Sequence, residues 1–362
     1  MINNKYQPDV VTPPGETLSE ILRDKGMSQA ELATRTGRPK KTINEIIKGK
    51  TAITPETAIQ FERVLGTSKD FWINRENNYR VWVTRQEERK KLAENIPWMR
   101  NFPLRAMIKL GWIKEFADPI DQTEELLRFF GVASPLQWQE MLLETQWRQS
   151  PAFAANPASI TAWLRMGELS ARTIKSAAYD EACFRESLSE IRGLTILPPQ
   201  DFVDQLVNIC SRAGVIVTFI PEIPGTHVCG ATRWINSNTA LIMLSLRYKT
   251  DDHFWFTFFH EAGHVLLHGK KDVFIEDNTD VSDQVQIKEE EANRFAADFL
   301  IPPSELRKLK PDFTYLSHDD FLKFSKLLGI APGIIVGRFQ HDGKIPNKNF
   351  NRLKRKLEWP SK

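Results

Sequence analysis

The run His260-Glu261-Ala262-Gly263-His264 decides how the C-terminal part of this 362-residue chain is interpreted. Positions i and i+4 lie one above the other on a helix, so both imidazoles can reach one metal ion while Glu261 projects beside it. Apolar residues flank the run on both sides, which predicts a buried helix from about Thr250 to Gly269. The run therefore predicts a Zn²⁺ site in which Glu261 is the general base.

Two histidines leave tetrahedral zinc short of a protein ligand, so the site needs a third side chain. The next helical segment offers three consecutive carboxylates, Glu289, Glu290 and Glu291, followed by Asn293. His268 continues the His260 and His264 face by one more turn; it either assists the site or is a helix-end histidine favoured by the helix dipole.

Residues 13 to 70 contain a series of short helices separated by start and stop signals. Ser28-Gln29-Ala30-Glu31 is a capping-box pattern, and the next helix opens at Pro39 and ends near Gly49. Thr54-Pro55 begins a further helix that closes at Leu65-Gly66. Helix, tight glycine turn and helix together predict a helix-turn-helix.

Two stretches carry resemblances to known families. Residues 215 to 305 resemble the ImmA/IrrE-type zinc metallopeptidases, whose pattern HExGHxxLH followed by ExxANxFAxxLLxP is matched from His260 to His268 and from Glu289 to Pro302. Residues 14 to 49 resemble the XRE helix-turn-helix, and closely its HigA-like antitoxin branch.

The metallopeptidase resemblance implies a ligand set and a role for each residue. It implies His260, His264 and Glu289 as zinc ligands and Glu261 as the base. It also implies that Asn293 orients Glu289 or His260. Glu290 and Glu291 point about 100° and 200° away from Glu289 on an ideal helix, which favours Glu289.

The helix-turn-helix predicts a double-stranded DNA operator as a partner. The stretch from Arg35 to Lys50 contains six basic residues and one acidic residue, Glu45. This excess of positive charge predicts a local surface that binds phosphates. The first residues of the second helix of such a motif meet base edges, and neighbouring side chains hold phosphates. The base-reading candidates are Lys40, Lys41 and Asn44, and the phosphate-binding candidates are Gln29, Thr42 and Lys48. The alternative is a charged, solvated helix in a small bundle.

Composition adds limits on the class of protein. The three cysteines, Cys183, Cys210 and Cys229, are far apart and outside any CxxC pair, which argues against disulfides and favours a cytoplasmic location. No stretch of eighteen uncharged apolar residues occurs, so we expect no membrane partner. The net charge of +3 is nearly balanced and by itself identifies no partner.

The predicted fold class is multidomain and mainly α with a small sheet. An all-α helix-turn-helix domain spans 1–75, a helical connecting region 76–200, an α+β zincin-like domain 201–345, and a basic tail 346–362, which we expect to fray from Lys348 to Lys362. The predicted strands run from Val215 to Ile220, Ala231 to Trp234 and Ala240 to Ser245.

Three hypotheses for function follow. The first is a regulator, expected to be a homodimer, that binds an operator and cleaves a repressor or toxin through its zinc site. The second is a non-enzymatic repressor or antitoxin whose zincin-like domain only senses or binds a partner. A third is a general intracellular peptidase. The first is favoured because a purely structural metal would not require a base at Glu261.

Overall fold

The computed structural model describes residues 11–144, 156–269, 274–275, 283–309 and 316–359. They divide into two compact units, Met1–Asn95 and Ile96–Lys362. The chain is mainly helical with one small sheet, which confirms the predicted fold class. Within the described ranges no helix is long and apolar enough to cross a membrane. The four predicted domain limits stay predictions.

The first unit is a helical bundle built around the predicted helix-turn-helix. Its core consists of buried apolar side chains from every helix, among them Leu18, Leu32, Ile43, Phe61 and Trp72. The helices are α1 (Pro14–Asp24), α2 (Gln29–Thr36), α3 (Lys40–Ile47), α4 (Pro55–Leu65) and α5 (Lys69–Glu94).

Local signals set the ends of these helices much as predicted. Gly37 and Gly66 adopt left-handed backbone conformations after α2 and α4. The Ser28 hydroxyl accepts the Glu31 backbone N–H at 3.1 Å, which is the serine half of the predicted capping box. The Glu31 carboxylate instead accepts a hydrogen bond from Arg35 at 2.6 Å, so its charge offsets one of the predicted basic residues.

The second unit begins with helices and continues into a sheet that is covered by further helices. The helices before the sheet are α6 (Ile96–Met99), α7 (Leu104–Lys109), α8 (Pro119–Phe130), α9 (Pro135–Glu144), α10 (Pro157–Ala171), α11 (Glu181–Leu194) and α12 (Pro199–Arg212). Those after its third strand are α13 (Asp251–Leu267), α14 (Asp283–Leu300), α15 (Pro303–Leu309), α16 (His318–Leu328) and α17 (Pro332–His341), followed by a 3₁₀ turn (Asn351–Leu353).

The sheet is mixed, with strand order β1-β3-β2-β4. Its strands are β1 (Val215–Phe219), β2 (Gly230–Asn236), β3 (Thr239–Leu244) and β4 (Phe274–Ile275). Strand β3 pairs in parallel with β1 and antiparallel with β2, and β2 also pairs antiparallel with β4. The first three strands confirm the predicted ones, whereas the two-residue strand β4 was not predicted.

Helix α13 lies in the core of the second unit, as its apolar flanks predicted. Trp255, Phe258, Phe259 and Ala262 are all fully buried in the same cluster as side chains of β1 and β3. Burial of this helix places the two histidines that it carries inside the protein, where each is about 1% exposed.

The tail is ordered over its described part, so the prediction that it frays is wrong for residues 348–359. Arg355 donates to the buried carboxylate of Asp251 at 2.8 Å and to the carbonyl oxygen of Leu197 at 2.8 Å. Lys354 forms an ion pair with Asp252 at 2.6 Å. Two basic residues of the tail thus anchor it to the first turn of α13, because that turn begins with two aspartates.

Candidate metal centre and nucleic-acid interface

Three donor groups from α13 and α14 converge at one point in the second unit. The Nε2 atoms of His260 and His264 lie 2.9 Å apart. The carboxylate of Glu289 lies 3.1 Å from Nε2 of His260 and 3.4 Å from Nε2 of His264. These are the residues whose ligand atoms all lie within 4.8 Å of one another. The structure therefore brings together the three side chains that the resemblance implied as ligands.

The donor set fits a zinc ion. Tetrahedral zinc with bonds of about 2.0 to 2.1 Å places its ligand atoms about 3.3 Å apart, close to the spacings of the three groups. Two imidazoles and one carboxylate with an open fourth position is the arrangement of catalytic rather than structural zinc. The metal itself is not identified by these distances.

The protonation of the ligands also suits a metal. Burial lowers the pKa of His264 to about 3, although the neighbouring Glu289 opposes this shift. Burial acts to raise the pKa of Glu289, but the close imidazoles of His260 and His264 outweigh it and lower the pKa to about 2. A neutral imidazole and an ionised carboxylate are the forms that bind metal, because a ligand must first lose its proton.

The rear nitrogens of both imidazoles are held by further side chains. Nδ1 of His260 lies 3.0 Å from Oδ1 of Asn293. Because an amide oxygen only accepts, Nδ1 of His260 carries the proton and its Nε2 keeps a lone pair for the metal. Of the two residues that the sequence left as alternatives, Glu289 and His260, Asn293 therefore contacts His260.

His268 holds the second imidazole in the same way. Its Nδ1 lies 2.9 Å from Nδ1 of His264, and its Nε2 lies 3.1 Å from the carboxylate of Glu291. Both contacts are satisfied if Nδ1 of His264 donates to Nδ1 of His268 and Nε2 of His268 donates to Glu291. Nε2 of His264 then carries no proton and keeps its lone pair. His268 therefore links His264 to Glu291, a contact that the sequence did not indicate.

Glu261 is fully buried on the same helix as the histidines. Its Oε2 accepts a hydrogen bond of 2.5 Å from the hydroxyl of Thr232, which comes from strand β2. At Gly230, a Cβ atom would lie only 2.6 Å from Oε1 of Glu261, so glycine is needed for β2 to pass this close. Neither residue of β2 was predicted as part of the site, because they are 29 and 31 positions away in the sequence and belong to no motif.

The residues proposed for DNA lie together on α2 and α3 of the first unit. Lys40, Lys41 and Lys48 are exposed, whereas Thr42 is half-buried. Nδ2 of Asn44 donates to Oε1 of Gln29 at 3.3 Å, so the two helices present these amides side by side. Ile43 and Ile46 are buried in the core, as predicted, and Ile47 packs partly buried against it.

Not all of the predicted positive surface is available for phosphates. Arg38 donates to Gln60 at 2.6 Å and forms an ion pair with Glu56 at 3.3 Å. Lys41 lies 3.9 Å from Glu45, an exposed pairing of the kind that contributes little. The lysines at both ends of α3 consequently provide most of the positive charge there.

Comparisons with known proteins agree with the two units. Residues 18–72 match the family model for the helix-turn-helix, and residues 210–338 match that for the IrrE N-terminal-like domain. Over 76 residues the chain is 32% identical to the uncharacterized HTH-type transcriptional regulator YddM of Escherichia coli, covering 21% of this chain and 78% of that protein.

Two solved structures are also similar to the N-terminal part. An addiction module antidote protein of the HigA family from Coxiella burnetii is 28% identical, covers 23% of this chain and 92% of its own, and has a TM-score of 0.22. The antitoxin HigA of Pseudomonas aeruginosa, solved with the higBA promoter, is 29% identical, covers 23% and 90%, and has a TM-score of 0.22.

The chain thus combines a helix-turn-helix domain with a peptidase-like domain. It belongs to the helix-turn-helix family of transcriptional regulators, and its second unit contains an IrrE N-terminal-like domain.

Proposed function

We propose that this regulator is a zinc-dependent endopeptidase as well as a DNA-binding protein, and that it cleaves a protein partner such as a repressor or a toxin. The observation that carries the peptidase part is the convergence of His260, His264 and Glu289, with the buried Glu261 directly after His260 on the same helix. A site of this kind holds both a metal and a base within one helix turn.

Each residue of the site has a defined task in peptide hydrolysis. Zinc, when bound by His260, His264 and Glu289, would lower the pKa of a water molecule and polarise the scissile carbonyl. Glu261 takes a proton from the attacking water and returns it to the leaving amine. Thr232 holds Glu261 in place through its 2.5 Å hydrogen bond.

The base is tested by Glu261→Gln, which keeps the shape of the side chain. We expect the full-length variant to retain one zinc per chain, measured by mass spectrometry, and to lose cleavage of a peptide mixture prepared from a bacterial proteome. Glu186→Gln is the matched control, because Glu186 carries the same charge at an exposed position of α11, outside the helices that hold the site. Unchanged cleavage by the Glu261 variant would contradict the assignment of the base. A zinc-loaded parent that cuts nothing would favour the non-enzymatic repressor or antitoxin.

For the first unit we propose binding to a double-stranded operator as a homodimer, since helix-turn-helix proteins read paired half-sites. Lys40, Lys41 and Asn44 would contact bases, and Gln29, Thr42 and Lys48 would contact phosphates and hold the helix in register. The exposure of the lysines and the contact between Asn44 and Gln29 support this division of tasks. The cytoplasm, where both DNA and a regulated protein are present, is the proposed location.

The DNA interface is tested on duplexes selected from a random pool by the parent protein. The logarithm of the DNA association constant falls linearly with the logarithm of the salt concentration, and Lys48→Ala should reduce the magnitude of this slope by about 0.9, the value for one lost phosphate contact. Lys40→Ala combined with Lys41→Ala should reduce selectivity as well, because each good base contact contributes about 1 to 3 kcal/mol. Lys25→Ala, an exposed lysine outside α2 and α3, is the control. A salt response that is the same for all variants would contradict this interface.

A further inference from the structure

The turn that follows α3 carries exposed lysines. Lys48 comes directly after α3 and lies on the same face as Lys40 and Asn44, because these residues are spaced four positions apart. Gly49 follows in a left-handed conformation, with a φ angle of 69°, and Lys50 comes next. Lys48 and Lys50 are both exposed, and neither forms an ion pair with another described residue. Positive charge therefore continues past the end of the helix that is proposed to contact bases.

Helix α5 places an arginine at the same turn. Nη2 of Arg80 donates to the carbonyl oxygen of Gly49 at 3.4 Å. The hydroxyl of Tyr79 also lies close, since a Cβ atom at Gly49 would be 3.5 Å from it. Both residues of α5 lie beyond residues 18–72, which match the helix-turn-helix family, so the motif by itself does not indicate them.

A buried carboxylate fixes the orientation of Arg80. Glu76 is only 7% exposed and accepts hydrogen bonds from Nε of Arg80 at 2.6 Å and from the backbone N–H of Ile53 at 3.1 Å. A guanidinium has five N–H donors, and the contacts with Glu76 and Gly49 use one on Nε and one on Nη2. The Arg80 side chain is 40% exposed, and its other donors have no partner among the described residues. Arg80 therefore presents oriented donors to solvent, as suits a guanidinium that binds phosphate.

The charges around the turn favour an anion. The acids nearby are Glu76, which is buried against Arg80, and Glu45, which lies on the last turn of α3. The carbonyl oxygens at the end of a helix carry the negative end of its dipole and repel a phosphate. Arg80 offsets this effect, because it donates to the carbonyl oxygen of Gly49.

We propose that Arg80 and Lys50 bind a phosphate of the operator backbone next to the end of α3, so that α5 forms part of the DNA interface. The inference rests on the proposed DNA-binding function. A contact of this kind carries no sequence information. It fixes the angle and the position at which α3 enters the major groove.

The first test measures the affinity of the full-length chain for a duplex selected from a random pool by the parent, at several salt concentrations. Arg80→Gln should weaken binding about tenfold and reduce the magnitude of the salt slope by about 0.9, as expected for one lost phosphate contact. The fold-change should be the same for a duplex of unrelated sequence, because the contact reads no base. Arg85→Gln is the matched control, since Arg85 is exposed on the same helix but points about 140° away from Arg80.

The second test identifies the phosphate by replacing one linkage at a time with a neutral methylphosphonate. We expect one position at which the replacement weakens binding by the parent but not by Arg80→Gln. Arg80→Lys keeps the charge without the planar fork and should be weakened there to an intermediate degree. If every replacement weakens Arg80→Gln as much as it weakens the parent, Arg80 only supports the turn and the proposal is overturned.

The outcomes for the parent separate the two proposals. A parent that binds no duplex in a salt-dependent way would contradict the DNA-binding function and this inference together. A parent that binds DNA, with the same affinity and salt slope in Arg80→Gln, would overturn the role of α5 and leave the DNA-binding function supported.

Discussion

Replacing Arg355 by alanine tests whether the tail fixes the helix that carries the metal ligands. Its guanidinium donates to Oδ2 of Asp251 at 2.8 Å and to the carbonyl oxygens of Leu197 at 2.8 Å and Ile196 at 3.0 Å. It also donates to the carbonyl oxygen of Thr195. Asp251 is the first residue of α13, and its side chain is 0% exposed, so the arginine stabilises a buried charge at the helix start.

The expected loss follows from these contacts. Removing one partner of a buried ion pair costs about 3 to 5 kcal/mol. The Arg355 side chain is 32% exposed, so water replaces part of what is lost. The backbone N–H of Arg355 still donates to Asp251 at 3.0 Å in the variant. We therefore expect the free energy of unfolding of the second unit to fall by about 2 to 4 kcal/mol at neutral pH.

The loss should depend on pH in a defined direction. Burial raises the pKa of Asp251, and Arg355 opposes that shift. Without the arginine the folded-state pKa rises further, so the folded variant binds a proton more readily than the unfolded chain. Stability then falls as pH rises through that range. The difference between variant and parent should be largest at neutral pH and shrink as the pH falls through the raised folded-state pKa values, because Asp251 is then protonated in both folded proteins.

The assay is urea unfolding combined with hydrogen exchange at the first turns of α13. Arg352→Ala, an exposed arginine on the same tail, is the matched control and should change little. Arg355→Lys keeps the charge without the planar fork of donors, so we expect an intermediate loss. If Arg355→Ala unfolds at the parent's urea concentration and keeps the parent's exchange rates, the tail does not fix the helix start.

Three further changes test separate parts of the molecule. His268→Ala should weaken zinc binding by about 10- to 100-fold in a competitive chelator titration, because His264 loses the partner at its rear nitrogen. Glu290→Gln should have no effect. Equal zinc affinities of the His268 variant and the parent would contradict the role of His268. Thr232→Val should lower the turnover number of the peptidase with zinc content unchanged, as seen by steady-state kinetics, since Glu261 loses its hydroxyl donor; an unaffected rate would remove Thr232 from the mechanism. Gly15→Ala should destabilise the first unit by about 1 to 3 kcal/mol in thermal unfolding, because a Cβ there would lie 2.3 Å from a carbonyl oxygen of α3; an unchanged melting temperature would show that α1 can shift at no cost.

What could be predicted from the sequence is what depends on near neighbours in the chain. The ligand pair His260 and His264 follows from helix geometry alone, because the spacing of four residues fixes a common face. Helix ends could be predicted for the same reason: Thr54 and Gly66 act on the backbone within one turn. The third ligand needed the resemblance, since three adjacent glutamates are equally acidic and only their helix face separates them.

The remaining parts of the site come from contacts that no local pattern records. Thr232 approaches Glu261 only because β2 passes over α13, and Gly230 is required there by the same approach. Arg355 reaches Asp251 across 104 positions of sequence. From the sequence alone, a basic tail and two aspartates at a helix start would each be interpreted as charged residues exposed to solvent. Only folding shows that they are partners, because charge pairing acts through space and not along the chain.

The burial of Glu261 provides a test that distinguishes an enzyme from a metal site that only binds partners. Burying a carboxylate in its charged form costs several kcal/mol of solvation, and at Glu261, which is 0% exposed, the hydrogen bond from Thr232 offsets part of that cost. A chain that used its metal only for binding would be more stable with an amide at this position. We therefore expect Glu261→Gln to raise the stability of the metal-free second unit by about 1 to 3 kcal/mol while cleavage by the zinc-loaded variant is lost, the exchange of stability for activity that catalytic groups commonly show. Thermal unfolding of parent and variant after removal of metal with a chelator measures this. A variant that is less stable than the parent would mean that Glu261 holds the fold together, and the case for a catalytic carboxylate would then rest on cleavage alone.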